Sequence, residues 1–157
     1  DVKSSPLFHF HGYTWDEKDP FVGDYYLTGD MVICHGDGSY SFSGRDDDII
    51  TTAGYRVGPA DVESTLLEHD AVAESGVVAK PDEKRGSIIK AYVVMKSGQE
   101  PVDEQAFAEE LQELVRRRLS THAYPREIEF VDELPKTPSG KIQRFMLRNR
   151  AEEEVSA

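Results

Sequence analysis

The order of apolar and polar residues divides this chain into a β-patterned first part and a second part in which strands and helices alternate. Short alternating runs predict strands at residues 25–28, 31–34 and 39–43. The turn at 35–38, His-Gly-Asp-Gly, predicts a hairpin between the last two. Residues 1–24 are aromatic-rich without a regular period, so no element is predicted there.

After residue 48 the two kinds of element interleave. The predicted strands are 49–50, 54–57, 72–79, 88–95 and 128–131, with a polar loop at 80–86. The predicted helices run from Pro59 to about residue 69, from an N-cap at Asp103 to about residue 119, and from 141 to 150. Their expected apolar faces are Val62, Leu66 and Leu67, then Phe107, Leu111, Leu114 and Val115, and finally Ile142, Phe145 and Met146.

This interleaved pattern indicates an α+β fold in which helices cover a short sheet. We expect residues 1–44 to form a β-rich segment that is too small to be stable by itself. The charged run at 45–48 is expected to be a hinge between two units, because a few residues can absorb such a rotation. Residues 49–150 then form the small α+β domain, and 151–157 a tail.

Composition narrows the function classes. The 157 residues carry a net charge of -12, which argues against a nucleic-acid binder that works by bulk electrostatics. A local basic cluster at Lys141, Arg144, Arg148 and Arg150 still allows a small anionic ligand. The single cysteine, Cys34, permits no intrachain disulfide and fits a reducing compartment. No apolar run is long enough to span a membrane.

Four short constellations could carry chemistry. Thr28-Gly29-Asp30 places a carboxylate on a turn, where it could bind a ribose diol or be an ordinary turn aspartate. Gly44-Arg45 precedes three consecutive aspartates, and Ala53-Gly54-Tyr55-Arg56 offers a close backbone approach beside a cation. Lys141 ends the Pro- and Gly-punctuated loop 135–141, where it could meet a phosphate or carboxylate, or be an exposed loop lysine. His9 and His11 alternate as on a strand, but without an evident third ligand we predict no metal site.

Taken in order, these motifs resemble the adenylate-forming enzymes: acyl-CoA synthetases, peptide-synthetase adenylation domains and luciferases. The residues that carry the resemblance are 26–30, 44–50, 54–57 with Glu63, 77–82, and 134–141 (Leu-Pro-Lys-Thr-Pro-Ser-Gly-Lys). The acyl-CoA synthetases that act on medium-chain, benzoate-like or short acids are the most similar branch. The resemblance implies that the chain holds the end of a large N-terminal domain and all of the small, mobile C-terminal domain.

By this resemblance, Asp30 binds the ribose hydroxyls of ATP, Arg45 supports the same sugar, and Asp47 is the hinge. Lys141 is the catalytic lysine of adenylation and contacts ATP, while Arg56 lies near the reacting phosphate and substrate. The residues that match CoA contacts are Ala53, Gly54, Tyr55, Arg85, Arg116, Tyr124, Pro125 and Arg126.

The implied reaction joins a carboxylic acid to CoA with ATP, with Mg²⁺ bound mainly by the large domain, which is the expected partner of this chain. The expected location is the cytoplasm, or the mitochondrial matrix if the chain is eukaryotic, without nucleic acid or membrane span. Two alternatives remain open. One is a non-catalytic module that binds CoA or nucleotide, and the other is the adenylation domain of a peptide synthetase.

Overall fold

The structure is a computed structural model that describes residues 21–99 and 101–156. Two compact units make up the chain, with a boundary between Asp47 and Asp48. The aromatic segment before residue 21, including His9 and His11, lies outside the described residues. Among the described helices, none combines the length and apolar character that a bilayer crossing requires.

The described part of the first unit consists of two antiparallel hairpins. Its strands are β1 (Phe21–Val22), β2 (Tyr25–Tyr26), β3 (Asp30–Cys34) and β4 (Tyr40–Arg45). β1 pairs with β2, and β3 pairs with β4 through the predicted turn. In that turn the Asp37 carboxylate accepts hydrogen bonds from the Ser39 backbone N–H at 2.9 Å and hydroxyl at 2.7 Å.

The bounds of two predicted strands in this unit differ from the prediction. The strand expected at 25–28 ends at Tyr26 and pairs with β1, because Gly29 turns the chain with a φ of +76°. β4 does not end before Gly44 but continues to Arg45. A bulge shifts the register between Met31 and Val32, so that Asp30 comes directly opposite Arg45.

The second unit is an α+β domain, as predicted. Its elements are β5 (Ile50–Thr52), β6 (Tyr55–Val57), α1 (Pro59–Leu66), β7 (Val72–Asp82), β8 (Gly86–Met95), α2 (Glu104–Arg118), β9 (Glu127–Phe130) and α3 (Arg144–Ser156). β5 and β6 form a hairpin. In the main sheet, β7 pairs with β8 antiparallel and β8 with β9 parallel. The β7 and β8 strands extend into the expected loop, which shrinks to a turn between Asp82 and Gly86.

Side chains alternate across this sheet and build a core on each face. On one face, Val77 and Ala91 pack with residues of α1 and α2. On the other face, Val78 and Tyr92 pack with Leu147 and Ala151 of α3. The sheet is therefore covered by helices on both sides, as the interleaved pattern predicts.

The predicted caps and faces of the first two helices are largely confirmed. The Asp103 carboxylate accepts a hydrogen bond from the Ala106 backbone N–H at 3.0 Å and caps α2. Leu111 and Val115 are fully buried. Leu67, also expected on the apolar face of α1, is instead exposed, whereas Val62 and Leu66 are fully buried.

The last helix differs most from its prediction. It begins at Arg144 rather than 141, because the backbone of residues 136 and 142 forms a β-bridge and Gln143 N–H donates to the Pro135 carbonyl at 2.8 Å. Because α3 starts three residues later than predicted, the helix face that packs against the sheet differs from the predicted one. Phe145 and Met146 are consequently exposed, and Leu147 is buried in their place. The helix also continues to Ser156, so most of the expected tail is helical.

α3 lies unusually close to β7. A Cβ atom added to Gly76 would lie 2.7 Å from Leu147 Cδ1, which is closer than real side chains approach. The glycine therefore allows the helix to pack directly against the strand.

Candidate functional site

Lys141 follows a closed turn of residues 137–140. Gly140 N–H donates to the Thr137 carbonyl at 2.8 Å, and Gly140 adopts a φ of +83°. Thr137 N–H donates to the Lys141 carbonyl at 2.8 Å, and Lys141 N–H donates to the Thr137 hydroxyl at 3.1 Å. The Lys141 side chain is exposed, and its ammonium has no ion pair or side-chain hydrogen bond with any described residue. A constrained backbone thus presents a cation that a phosphate or carboxylate oxygen can approach.

Asp30, Arg45 and Asp47 come together in the first unit. Arg45 Nη1 lies 3.5 Å from Asp30 Oδ1 and donates to the Thr28 carbonyl at 3.0 Å. Arg45 Nε donates to Asp47 Oδ1 at 3.1 Å. Gly29 leaves room for this arrangement, since a Cβ there would lie 3.1 Å from Arg45 Nη2. The arginine is thus placed to orient the Asp30 carboxylate.

The Ala53-Gly54 segment forms the turn between β5 and β6. Both residues have positive φ, +48° for Ala53 and +84° for Gly54, as a two-residue hairpin turn of this kind requires. A non-glycine residue seldom adopts such a φ. Ala53 N–H donates to the Arg85 carbonyl at 3.2 Å, so this turn leans against the end of the β7–β8 hairpin.

A narrow cleft opens beside this turn in the second unit. It is lined by Thr52, Ala53, Tyr55, Arg85, Ile89, His122, Tyr124 and Arg126. The structure therefore brings together residues from three separate sequence segments, and most of these residues are predicted to contact CoA. Gly54 lies in the turn at the rim of this cleft and is exposed.

Tyr124 lies in the basic part of the cleft, where two arginines stack on its ring. The Arg116 guanidinium lies 3.9 Å from its ring centroid, and that of Arg126 lies 5.0 Å from it. Pro125, between Tyr124 and Arg126, is fully buried. Arg116 is not among the lining residues and reaches the cleft through the Tyr124 ring. Arg85 Nη1 lies 3.8 Å from Asp82 Oδ1.

Arg56 does not line this cleft. It borders a neighbouring depression of about 220 Å³ that shares Tyr55 and His122 with the cleft. The His122 and Tyr55 rings are stacked, with centroids 3.8 Å apart and an angle of 11° between the planes. The sequence interpretation missed His122, although its position two residues before Tyr124 was the available signal.

A second missed cluster surrounds Lys90, which is 1% exposed. Its ammonium lies 2.8 Å from Glu129, 2.9 Å from Glu127 and 2.6 Å from Glu154. Lys80 lies 2.9 Å from Glu127 and 2.7 Å from Glu154. We call these five residues the Lys90 network.

Charge is strongly stabilised in the Lys90 network. Burial opposes the charge of Lys90, but hydrogen bonds to the three glutamates outweigh it and raise the pKa of Lys90. Burial likewise opposes ionisation of Glu127 and Glu154, but hydrogen bonds from the two lysines hold the pKa of both below the ordinary value. Little in the amino-acid pattern indicates this cluster, because Glu154 falls in the expected tail.

Comparison with known proteins identifies related chains over most of the length. The model of the AMP-binding enzyme C-terminal domain matches residues 61–141. A 4-hydroxybutyrate–CoA ligase of Metallosphaera sedula is 50% identical over 151 residues, which is 95% of this chain and 26% of that protein. An acetyl-coenzyme A synthetase of Bacillus subtilis is 51% identical over 126 residues, 80% of this chain and 22% of that protein.

Solved structures agree with the fold. The crystal structure of a Brucella canis acyl-CoA synthetase has a TM-score of 0.66 and 53% identity, and the match covers 100% of this chain and 28% of that one. The chain thus spans about a quarter of the length of the relatives that it matches. Because the family model matches more than half of the 157 residues, the chain belongs to the family of AMP-binding enzyme C-terminal domains.

Proposed function

We propose that this chain is the C-terminal part of an AMP-forming acyl-CoA synthetase, which activates a carboxylic acid with ATP and transfers the acyl group to CoA. The observation that supports the proposal is that the residue after Lys141 and two residues of the cleft pack on opposite faces of one sheet. Ile142, next to Lys141, packs into the core under α3, whereas Tyr124 and Ile89 of the cleft belong to the core on the other face. A two-step enzyme can use such surfaces in turn.

In the first step, a carboxylate oxygen attacks the α-phosphorus of ATP and pyrophosphate leaves. Two anions meet, so negative charge accumulates at the reacting centre. Lys141 is the residue we assign to offset it, because its ammonium is exposed and its backbone is fixed. Asp30 is assigned to the ribose hydroxyls, with Arg45 orienting its carboxylate.

In the second step, the CoA sulfur attacks the acyl carbonyl carbon and AMP leaves with the bonding electrons. The pantetheine arm is assigned to the Ala53-Gly54-Tyr55 turn, which has an exposed backbone. Arg85, Arg116 and Arg126 are assigned to the phosphates of CoA, since guanidinium groups suit phosphate oxygens. Arg56, in the neighbouring depression, is assigned to the substrate side of the centre.

The proposed partners are the acid, ATP, CoA and a larger N-terminal domain, in a reducing compartment. Mg²⁺ accompanies ATP in this proposal. Among the described residues, no group of three or more His, Cys, Asp or Glu side chains is arranged to hold a metal ion.

The test separates the two half-reactions in the complete enzyme. Lys141→Ala should lower ATP–pyrophosphate exchange on the order of a hundredfold or more. The same variant should still form thioester from supplied acyl-adenylate and CoA. Arg126→Ala should show the converse pattern, with exchange retained and the KM for CoA raised.

Normal pyrophosphate exchange by Lys141→Ala would contradict the assignment of the lysine. The acceptor distinguishes the remaining alternatives. Transfer to free CoA supports a synthetase, whereas transfer only to a carrier-protein thiol supports a peptide-synthetase domain. Binding of CoA without any half-reaction supports a non-catalytic module.

A further inference from the structure

The first residue of the second unit is held by two arginines from its last helix. Asp48 Oδ1 accepts a hydrogen bond from Arg148 Nη2 at 2.9 Å, and Asp48 Oδ2 lies 3.4 Å from Arg144 Nη1. The Asp48 side chain is only 14% exposed. The chain is thus fastened to α3 one residue after the proposed hinge at Asp47.

Arg144 extends this contact to α1. Its Nη2 and Nε donate to the two carboxylate oxygens of Glu63 at 2.6 Å and 3.1 Å. Glu63 Oε1 also accepts a hydrogen bond from the Val77 backbone N–H at 2.9 Å, which ties the cluster to β7. Burial opposes the charge of Arg144, but Glu63 and then Asp48 outweigh it and raise the pKa of Arg144. We call Asp48, Glu63, Arg144 and Arg148 the ionic clamp.

The Lys141 loop leads directly into this clamp. α3 begins at Arg144, three residues after Lys141. Between them, Gln143 N–H donates to the Pro135 carbonyl at 2.8 Å and Ile142 packs against the core under α3. Arg144 is therefore linked through two intervening residues to the backbone that carries Lys141.

The contacts of the clamp can do more than stabilise the fold. Partly buried ion pairs often contribute little net stability compared with apolar packing, and in some proteins their directional contacts specify one arrangement. Here the specified arrangement links the Asp48 end of the hinge to the Lys141 loop. None of the four clamp residues lines the cleft assigned to CoA.

We propose that the ionic clamp positions Lys141 for adenylation, by fixing the lysine loop to the point where the small domain turns about its hinge. This inference rests on the proposed function. Its residues are positioning residues and touch neither ATP nor the acid. Rotation at Asp47 then carries Lys141 as part of a rigid body, and the geometry of the first half-reaction depends on the clamp.

The decisive variant is Arg148→Gln in the complete enzyme, because Arg148 binds Asp48 but lies far along the chain from the hinge. We expect kcat for pyrophosphate exchange to fall roughly tenfold or more, since a displacement of about 1 Å can cost a hundredfold. Thioester formation from supplied acyl-adenylate should be unchanged. Asp48→Asn should give the same selective loss.

The controls separate positioning from folding. Arg150→Gln removes the same charge from the same helix, but Arg150 pairs with Glu129 instead of Asp48, so both half-reactions should be retained. Arg144→Lys keeps the charge but loses the two-oxygen contact with Glu63, and should resemble Arg148→Gln. The double variant Asp48→Asn/Arg148→Gln should be no slower in exchange than Asp48→Asn alone, because Asp48→Asn already removes the partner of Arg148.

Equal loss of both half-reactions in Arg148→Gln, in proportion to a lower Tm, would overturn the positioning role and leave a structural one. Unchanged exchange in both Arg148→Gln and Asp48→Asn would also overturn it. Lys141→Ala, measured in parallel, tests the underlying function. If Lys141→Ala loses exchange and the clamp variants do not, only the clamp inference fails.

Discussion

Two lysines of the second unit occupy opposite environments. Lys90 is 1% exposed and lies within 3 Å of three glutamates, whereas Lys141 is exposed and its ammonium forms no ion pair or side-chain hydrogen bond with a described residue. The difference separates two uses of the same cation. A buried charge that is fully paired holds helices and strands together, while a charge left unpaired on a constrained loop is available to a ligand.

The surroundings of the two lysines reinforce this distinction. Lys90 joins the middle strand of the sheet to β9 and to the last turns of α3. Lys141 stands just before the first turn of the same helix. One helix thus has a structural anchor near its end and the proposed catalytic cation just before its start.

The same substitution at both positions gives the largest expected contrast. Lys90→Met removes the cation from among three glutamates and should lower the free energy of unfolding by about 3–5 kcal/mol, as for one broken buried ion pair. Lys141→Met should change it by less than about 0.5 kcal/mol, as for an ordinary surface position. Urea unfolding measures both.

Half-reaction rates complete this contrast. Lys141→Met should lose adenylation, whereas Lys90→Met should retain it per folded molecule at low temperature. If Lys90→Met loses only adenylation at full stability, then the separation into a structural and a catalytic lysine is wrong.

A smaller effect is expected at Gly76, beneath α3. A methyl group there would lie 2.7 Å from Leu147 Cδ1, so Gly76→Ala should push the helix outward and cost about 1–3 kcal/mol of stability. Because Leu147 and Lys141 are connected through the start of α3, adenylation should fall as well. Gly76→Ala combined with Leu147→Ala should recover part of the adenylation rate. If no rate is recovered, packing at Gly76 does not control the position of Lys141.

The smallest effect is a change in the pH dependence of stability. The pKa of Glu127 and that of Glu154 lie below 4.5 in the folded protein, so their contribution is present above that pH and is lost as the pH falls through the folded values. The pKa of Lys90 is raised above 10.5, so its contribution is present below that pH and is lost as the pH rises further.

The contribution of the Lys90 network to the unfolding free energy should therefore be flat between the two limits and fall on both sides. In Lys90→Met the decline on the acid side should become smaller, because the glutamates have lost one of their cations. An unchanged acid limb would show that the Lys90 network does not control it.

The comparison also shows which features the sequence can reveal. The period of apolar residues predicted the α+β unit, its capped α2 helix and its β7–β8 pair, because burial on one face imposes that period. Lys141 was recognisable because prolines and a glycine mark its loop. Lys90 was not, since a lysine within a strand pattern carries no sign of the glutamates that the fold later brings to it.

The start of α3 shows the same limit. Helical spacing alone placed its start at residue 141, but hydrogen bonds across the loop hold Ile142 and Gln143 outside the helix. Those bonds connect residues that are six to eight positions apart. The clamp at Asp48 depends on this tertiary arrangement, so its partners could not be predicted from local pattern.

The most direct test of the proposal that one small domain presents two faces in turn is the substitution Asp47→Pro. Residues Asp46–Asp48 form a 3-10 turn, and proline can adopt the φ of such a turn. The proline ring then fixes φ at residue 47, which prevents the backbone rotation that a hinge requires. Single-turnover measurements should show a far larger loss in thioester formation than in adenylation, with Asp47→Ala as the control for the lost contact with Arg45. Equal loss in both half-reactions would contradict a hinge at this residue.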